Sequence, residues 1–260
     1  MTESEVDSAA DEVETAADRY RAPALDKGLD ILEVLAEQAR GLTRAEIVKE
    51  LGLSPSQIYR MLERLVARGY VSRDEGGDRY ALTMKLFQLS TRHPPLRRLI
   101  AQAQPLMDEF ARDARQSCHL VVPDRGMGHI VAQASPQGHW EFRARIGGIL
   151  DLFTTGSGLT LVAFQDPARV EETLGVWGVS DAAARLAAAA HHLQDVRAQG
   201  ARIEASGYLV GVTDLSVPVI GHRGEAIAAL TCAFIEHPEE PGPQPRIKAL
   251  EALKAVARRL

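Results

Sequence analysis

The order of local patterns between residues 25 and 82 constrains the fold of this chain more than any other feature. Apolar residues recur at helical spacing from residue 25 to residue 35, which predicts a first helix. Thr43 is a candidate N-cap for a second helix over residues 44–51, and Gly52 is a typical stop signal after it. The ordered chain is therefore expected to begin with two helices in close succession.

A third helix and a β-hairpin follow. Ser54-Pro55 combines an N-cap residue with proline at the first helical position, which predicts a helix over residues 55–68. Strand patterns over residues 70–73 and 79–82 flank a polar Gly-Gly turn, as in a β-hairpin. Two helices joined by a short turn that contains glycine, and followed by a hairpin, indicate a winged helix-turn-helix.

The third helix is amphipathic. Ile58, Met61, Leu62 and Leu65 lie at spacings that form one buried stripe, which leaves the opposite face polar. In the major groove, arginine can hydrogen-bond to guanine and glutamine to adenine. Cations on the wing can contact phosphates or bind in the minor groove. The candidate DNA-binding residues are Arg44, Ser54, Ser56, Gln57, Tyr59, Arg60, Arg64, Arg73 and Arg79. An ordinary solvated helix face is the alternative, but the ordered set of elements favours double-stranded DNA.

Charge is distributed unevenly along the chain. The formal net charge is −5, yet residues 1–18 hold seven acidic residues and no lysine or arginine. Such a segment cannot bury enough apolar surface to offset its ordering entropy, so a disordered acidic tail is predicted over residues 1–20. Residues 54–73 hold four arginines and one glutamate. The basic charge is therefore local, where an element that contacts DNA needs it.

From residue 116 onward, strand and helix patterns alternate. Strands are predicted over residues 118–122, 129–134, 140–146, 215–220 and 226–235, and helices over residues 156–164, 182–206 and 245–260. This alternation is typical of a mixed α/β or α+β ligand-binding domain. The expected fold class is α+β, with a winged helix-turn-helix over residues 21–92, a linker helix over residues 93–115 and an effector-binding domain over residues 116–260.

The sequence gives no support for a membrane protein, a secreted protein or a zinc protein. No apolar run approaches the roughly 18–20 residues of a membrane helix, and the N-terminus lacks the pattern of a secretory signal. Cys118 and Cys232 lack the spacing of a zinc site, so a cytoplasmic protein without metal or cofactor is expected.

An enzyme with an accessory DNA-binding module is a second hypothesis. Cys118 and His119 resemble a nucleophile and its base, but adjacent residues on a strand face opposite sides. No P-loop or Gly-x-Ser-x-Gly motif is present, and no catalytic residue is predicted. A protein-docking module that uses the winged helix is a third hypothesis.

Several segments resemble the IclR-type family of bacterial transcriptional regulators. Residues 24–32 (ALDKGLDIL) are similar to its opening helix, and residues 51–62 (LGLSPSQIYRML) to its helix-turn-helix. Residues 152–163 (LFTTGSGLTLVA), 211–219 (GVTDLSVPV) and 226–231 (AIAALT) are similar to its effector domain. The resemblance implies a GAF-like effector domain that binds a small metabolite, often an organic acid. It also implies a homodimer or homotetramer.

The resemblance places Asp214, Thr231 and Ala233 in an effector pocket. The residues themselves add a helix start at Gly156 and Ser157, whose backbone amides can bind an anion, although close packing also favours glycine there. A carboxylate beside Asp214 would be repelled unless Asp214 is protonated or a donor bridges the two groups. A ligand that is neutral, or anionic at one end and hydroxylated at the other, is therefore expected. The predicted effector-binding residues are Gly156, Ser157, Asp214, Thr231, Ala233, His119 and Trp140. For His119 and Trp140, core packing is the alternative.

Overall fold

The computed structural model describes residues 22–74, 76, 78–92, 94–138, 142–207 and 209–260. The chain divides after Pro94 into two compact units. The predicted acidic tail lies outside the described residues, as does Trp140.

The first unit combines helices with a small antiparallel sheet. Its helices are α1 (Pro23–Ala36), α2 (Arg44–Leu51), α3 (Pro55–Ala67) and α4 (Lys85–Ser90). Its strands are β1 (Leu42–Thr43), β2 (Val71–Arg73) and β3 (Arg79–Leu82), with β3 in the centre. The three predicted helices and the hairpin are thus confirmed, whereas β1 and α4 were not predicted.

Local chemistry explains where the second helix begins and ends. The Thr43 hydroxyl accepts a hydrogen bond from the Glu46 backbone N–H at 3.2 Å, and the Glu46 carboxylate accepts one from the Thr43 N–H at 2.7 Å. This reciprocal pair is a capping box, which satisfies two amides that the helix leaves free. Gly52 ends the helix at φ 63°, a left-handed conformation that glycine adopts without steric cost.

The second unit contains a six-stranded sheet and five helices within its described residues. The strands are β4 (Cys118–Asp124), β5 (Met127–Ala134), β6 (Ile149–Asp151), β7 (Arg202–Ala205), β8 (Val212–Ile220) and β9 (Ala226–Ile235). The helices are α5 (Pro94–Ala114), α6 (Gly156–Ala163), α7 (Val170–Val176), α8 (Ala182–Gln199) and α9 (Pro243–Ala257). The strand order is β6-β5-β4-β9-β8-β7, and every neighbouring pair is antiparallel.

Helices cover both faces of this sheet. Helices α5 and α9 pack on one face, where Cys118, Leu120, Leu230 and Cys232 are buried. Helices α6, α7 and α8 lie on the other face, where Val121 and Ala229 join a second core. Successive residues of a strand point to opposite faces, so β4 and β9 contribute to both cores. The predicted α+β class is confirmed.

Two sequence-based expectations need correction. Residues 142–146, the described part of a predicted strand over 140–146, form no strand; the chain instead pairs at β6 after a turn at Gly147-Gly148. The helix predicted over residues 182–206 ends at Gln199, because Gly200 adopts φ 67°, and β7 follows.

Candidate nucleic-acid interface and effector pocket

Helix α3 presents a polar face to solvent. Ile58 and Leu62 are completely buried beneath it, in a core shared with α1 and α2. The opposite face exposes Ser56, Arg60 and Arg64. Among the described residues, no hydrogen bond or ion pair engages the guanidinium of Arg60 or Arg64. Both cations are therefore available to an external partner.

The start of α2 extends this polar surface. The Arg44 guanidinium lies 5.6 Å from the centre of the exposed Tyr59 ring, within the range of a cation–π contact. The Ser54 hydroxyl makes no capping hydrogen bond to α3 and lies 3.3 Å from that of Ser56. Gln57 is exposed beside them. These polar groups consequently form one continuous surface.

A cleft of about 490 Å³ lies between the start of α2, the start of α3 and the hairpin. Arg44 and Arg73 line it, together with Asp78. The Arg73 guanidinium lies 5.7 Å from the centre of the buried Tyr80 ring, which positions it at the base of the wing. Two arginines on one concave wall suit a phosphate backbone.

Arg79 has a different environment from the other candidate cations. Its Nη1 donates to the Gly41 carbonyl at 3.0 Å and lies 3.4 Å from the Glu46 carboxylate. The side chain therefore joins the central strand of the small sheet to the start of α2. The structure gives Arg79 a role in holding this unit together, which its position in the sequence did not indicate.

A cavity of about 240 Å³ lies between the start of α6 and the sheet of the second unit. Its walls include six of the seven predicted effector residues. These six are His119, Gly156, Ser157, Asp214, Thr231 and Ala233. The remaining prediction, Trp140, lies outside the described residues.

Sequence reasoning missed much of the cavity wall. The other lining residues are Ile130, Phe142, Ala144, Ile149, Leu150, Thr155, Ser206, Leu209 and Val212. Ser206 was assigned to the end of a predicted helix, which hid its role. Ile149 and Leu150 carry no local sequence signal of a ligand site. They reach the pocket because β6 pairs with β5.

Hydroxyl groups join the sheet to α6 beneath the pocket. The Ser157 hydroxyl lies 2.8 Å from that of Thr231, which lies 2.7 Å from that of Ser216. The His119 Nε2 lies 3.4 Å from the Ser157 hydroxyl. Burial lowers the pKa of His119 from 6.5 to about 4, so its imidazole is neutral at physiological pH.

Asp214 lies beside the start of α6. A Cβ added at Gly156 would lie 3.3 Å from the Asp214 Cβ and 3.5 Å from its Oδ2. Burial raises the pKa of Asp214 above its usual range, while a hydrogen bond from Ser206 and the charge of Arg202 oppose that rise. The carboxylate therefore lies near the start of this helix, and so does the Arg202 side chain, whose Cδ lies 3.6 Å from the same Cβ position.

Gly158 shows that close packing also shapes the helix start. A Cβ at this position would lie 2.4 Å from the Leu152 Cα, closer than side chains approach. The Gly158 amide donates to the Thr155 hydroxyl at 3.0 Å, which caps α6. The packing interpretation thus holds for Gly158, whereas Gly156 and Ser157 line the pocket.

The cysteines are poorly suited to catalysis. Burial raises the pKa of Cys118 to about 12, and its Sγ lies 3.8 Å from the Met107 carbonyl of α5. His119 faces the pocket on the other side of the strand. In the part of the chain that the structure describes, no three His, Cys, Asp or Glu residues are grouped as metal ligands, and no helix has the length and apolar character of a membrane span.

A winged helix with an exposed, arginine-bearing third helix, followed in the chain by a mixed α/β unit that contains a pocket, is typical of the class of transcriptional regulators. Two family models match this chain. They are the IclR helix-turn-helix domain over residues 24–75 and the bacterial transcriptional regulator IclR C-terminal domain over residues 96–260. The chain belongs to the IclR family of bacterial transcriptional regulators, as its resemblance predicted.

Named relatives and solved structures agree with this assignment. The HTH-type transcriptional regulator KdgR of Escherichia coli is 27% identical over 212 residues, which cover 80% of each chain. The Thermotoga maritima IclR structure has a TM-score of 0.70 at 20% identity and covers 90% of this chain and 96% of its own. An IclR homologue from Microbacterium hydrocarbonoxydans, complexed with 4-hydroxybenzoate, has a TM-score of 0.70 at 22% identity, with 91% and 96% covered. KdgR is a transcriptional regulator, which agrees with the family assignment and supports the non-enzymatic interpretation, and the two solved structures share the fold of this chain.

Proposed function

We propose that this regulator binds a palindromic operator as a dimer and that a small molecule in the second unit alters this binding. The exposed face of α3 is the observation that carries the proposal. Arg60 and Arg64 are directed away from the core and lack partners among the described residues. We place the protein in the cytoplasm, where its DNA lies.

The surface divides into two kinds of DNA contact. Ser56, Gln57, Tyr59, Arg60 and Arg64 lie on or beside the exposed face of α3 and would reach base edges in the major groove. Phosphate contacts would come from the cleft, through Arg44 and Arg73, with Ser54 between the two groups. Arg79 would contribute indirectly, by holding the hairpin against α2.

An apolar surface of the first unit supports the dimer. Leu25 is 61% exposed on α1 and Phe87 is 60% exposed on α4. Leu25, Leu29, Leu86 and Leu89 line one groove of about 450 Å³, which Arg64 and Arg68 also border. Each Å² of apolar surface removed from water contributes about 25 cal/mol, so a second copy seated on this surface would be stabilised. A symmetric dimer matches the symmetry of a palindromic site.

The pocket of the second unit supports the response to a small molecule. Its largely apolar wall, with a few polar groups at one end, is typical of a specific ligand site, and its volume of about 240 Å³ limits the ligand to a small metabolite. The Microbacterium hydrocarbonoxydans homologue holds 4-hydroxybenzoate. To regulate, the ligand must favour one arrangement of the regulator by about 1–3 kcal/mol.

Selection of bound fragments from the source genome, followed by gel-shift titration, tests the proposal. On the selected operator, Arg60→Ala should weaken binding by about 1–3 kcal/mol and relax the base preference, because a base contact is lost. Arg112→Ala removes an exposed arginine of the second unit and should change affinity little. Equal losses in the two variants would argue against base recognition by α3.

Salt dependence separates DNA binding from a protein-docking role. Cations that neutralise phosphates release counterions, so operator affinity should fall steeply as salt rises. An affinity independent of salt, or no preferred genomic fragment, would contradict the proposal.

A further inference from the structure

The first 18 residues carry a dense negative charge. Seven carboxylates and no lysine or arginine lie between residues 3 and 18. They are Glu3, Glu5, Asp7, Asp11, Glu12, Glu14 and Asp18. The formal net charge of the whole chain is −5, so this short segment alone makes the chain acidic. A segment of this composition can bury little apolar surface of its own, but it can bind a cationic surface.

A cationic surface lies on the first unit. Arg60, Arg64 and Arg68 follow one another at intervals of four residues, on α3 and at the residue that ends it, and all three are exposed. We call them the arginine stripe; the sequence of α3 contains one acidic residue, Glu63. No hydrogen bond or ion pair among the described residues engages the guanidinium of Arg60 or Arg64. Like charges at this spacing on a helix repel each other, so an anionic partner would stabilise the stripe.

The chain enters the first unit beside this stripe. Leu25, at the start of α1, lines the same groove as Arg64 and Arg68. Asp18 precedes Ala22, where the described residues begin, by only four positions. An extended chain spans at most about 3.6 Å per residue, so Asp18 lies within about 14 Å of Ala22. The acidic segment is therefore attached next to the arginines.

Attachment within one chain makes this pairing more favourable than the strength of each ion pair suggests. An exposed ion pair is weak on its own. A short tether, however, holds the carboxylates near the arginines at an effective concentration of about millimolar, and several carboxylates can act together. Duplex DNA carries about one negative charge per 1.7 Å of its axis, a higher density, so DNA can still displace the segment.

We propose that residues 3–18 dock on the arginine stripe when DNA is absent and compete with DNA for it. The segment thereby lowers the affinity for any duplex, whatever its sequence, and this effect fades as salt screens the charges. The competition with DNA rests on the proposed function, whereas the docking itself does not.

Photo-cross-linking tests the docking without DNA. The full-length protein with p-benzoylphenylalanine in place of Val13 is irradiated, and the cross-linked residues are identified by proteolysis and mass spectrometry. Most cross-links should lie within residues 54–68, on α3 and its two ends. Cross-links concentrated on the second unit, spread over both units without preference, or absent altogether would overturn the proposal.

Two double variants identify the groups that hold the segment. Arg60→Gln combined with Arg64→Gln should lower the yield of cross-links to α3 at least about fivefold, because two cations of the stripe are lost. Arg112→Gln combined with Arg223→Gln removes two exposed arginines of the second unit and should leave the yield within about twofold. Equal yields from the two double variants would show that the arginine stripe is not the docking site.

Gel shifts with a mixed-sequence duplex at about 50 mM and about 200 mM salt test the competition. One variant replaces all seven carboxylates by the corresponding amides (E3Q, E5Q, D7N, D11N, E12Q, E14Q and D18N). It should bind at least about tenfold more tightly than wild type at the lower salt and within about threefold at the higher salt. A protein in which residues 2–18 are shuffled keeps the charge and should behave like wild type. Equal affinities of wild type and the amide variant at the lower salt, or a shuffled protein that behaves like the amide variant, would overturn the competition.

The two experiments separate this inference from the proposed function. Cross-links to α3 in a protein that binds no duplex would keep the docking and remove the function in DNA binding. An amide variant that binds DNA more tightly, without cross-links from position 13 to α3, would show that the segment repels DNA directly and would overturn the docking.

Discussion

His119 makes the stability of the second unit depend on pH. Its pKa is about 4 in the folded protein and 6.5 without burial, so between these values the unfolded chain binds a proton that the folded protein does not. Stability is therefore full above pH 6.5 and falls as the pH drops towards 4. The loss attributable to this group is at most about 3 kcal/mol.

Denaturant titration of wild type and His119→Gln at about pH 7.5 and about pH 4.5 measures this contribution. Glutamine cannot be protonated but can still bond to Ser157, so the variant should lose less stability on acidification. Equal losses in the two proteins would show that the imidazole exchanges protons freely when folded.

Gly158 has no room for a side chain. A methyl group there would meet the backbone of Leu152 at 2.4 Å, and backbone cannot move aside cheaply. Gly158→Ala should destabilise the second unit by about 3 kcal/mol or more. Gly175→Ala is the matched control, since nothing lies within 4 Å of its Cβ position in α7 and alanine favours helix. Equal melting temperatures for Gly158→Ala and Gly175→Ala in thermal unfolding would contradict this close packing.

The sequence indicated most of the polar pocket by two routes. The helix start at Gly156 and Ser157 carries a local signal, and the family resemblance gave Asp214 and Thr231, so these residues could be found without a structure. The contributions of Phe142 and Leu209 could not, because neither residue lies in a helix or strand of the structure and both reach the pocket only through long-range packing. The polar residues of the pocket are therefore easier to predict from sequence than the apolar residues of the cavity wall.

Helices α2 and α3 begin with similar residues but different capping. Thr43 forms a reciprocal capping box with Glu46, whereas the Ser54 hydroxyl makes no capping bond. Thr43→Ala should therefore destabilise the first unit by about 1 kcal/mol. Ser54→Ala should leave stability nearly unchanged while it weakens operator binding. Urea titration checks the first expectation and gel shifts the second; a larger loss of stability for Ser54→Ala would contradict this difference in capping.

Elements with local boundary signals were predicted within a few residues. The helices of the first unit have prolines, caps or glycines at their ends, and these act over a few positions of chain. Strands β1 and β7 were missed, because each exists only through a distant partner. Leu42 pairs with Tyr80, and Arg202 pairs with Ser216. Short edge strands of this kind leave no periodic pattern in sequence.

Assembly of the whole molecule should depend on the apolar surface of the first unit. Phe87→Glu places a charge on that surface, where desolvation in an interface is costly. Sedimentation should show an assembly half the size of wild type, and operator affinity should fall with it. Val176→Glu alters a residue that is 82% exposed in the second unit and serves as the control. An unchanged mass for Phe87→Glu would place the interface elsewhere.

The net charge of the whole chain is a poor guide to its function. A value of −5 argues against nucleic acid, yet four arginines lie between residues 54 and 73. The structure exposes Arg60 and Arg64 together on one helix face. What matters for a large charged partner is the local field, which an average over the chain conceals.

Strands β4 and β9 serve both sides of the sheet with alternate residues. His119 and Thr231 line the cavity, while Cys118 and Cys232 lie against the opposite core with α5. The lining of the cavity and the packing of the opposite core are consequently encoded at separate, interleaved positions. Variants at His119 and Thr231 would alter the cavity and its contacts with α6, and would leave the core against α5 unchanged.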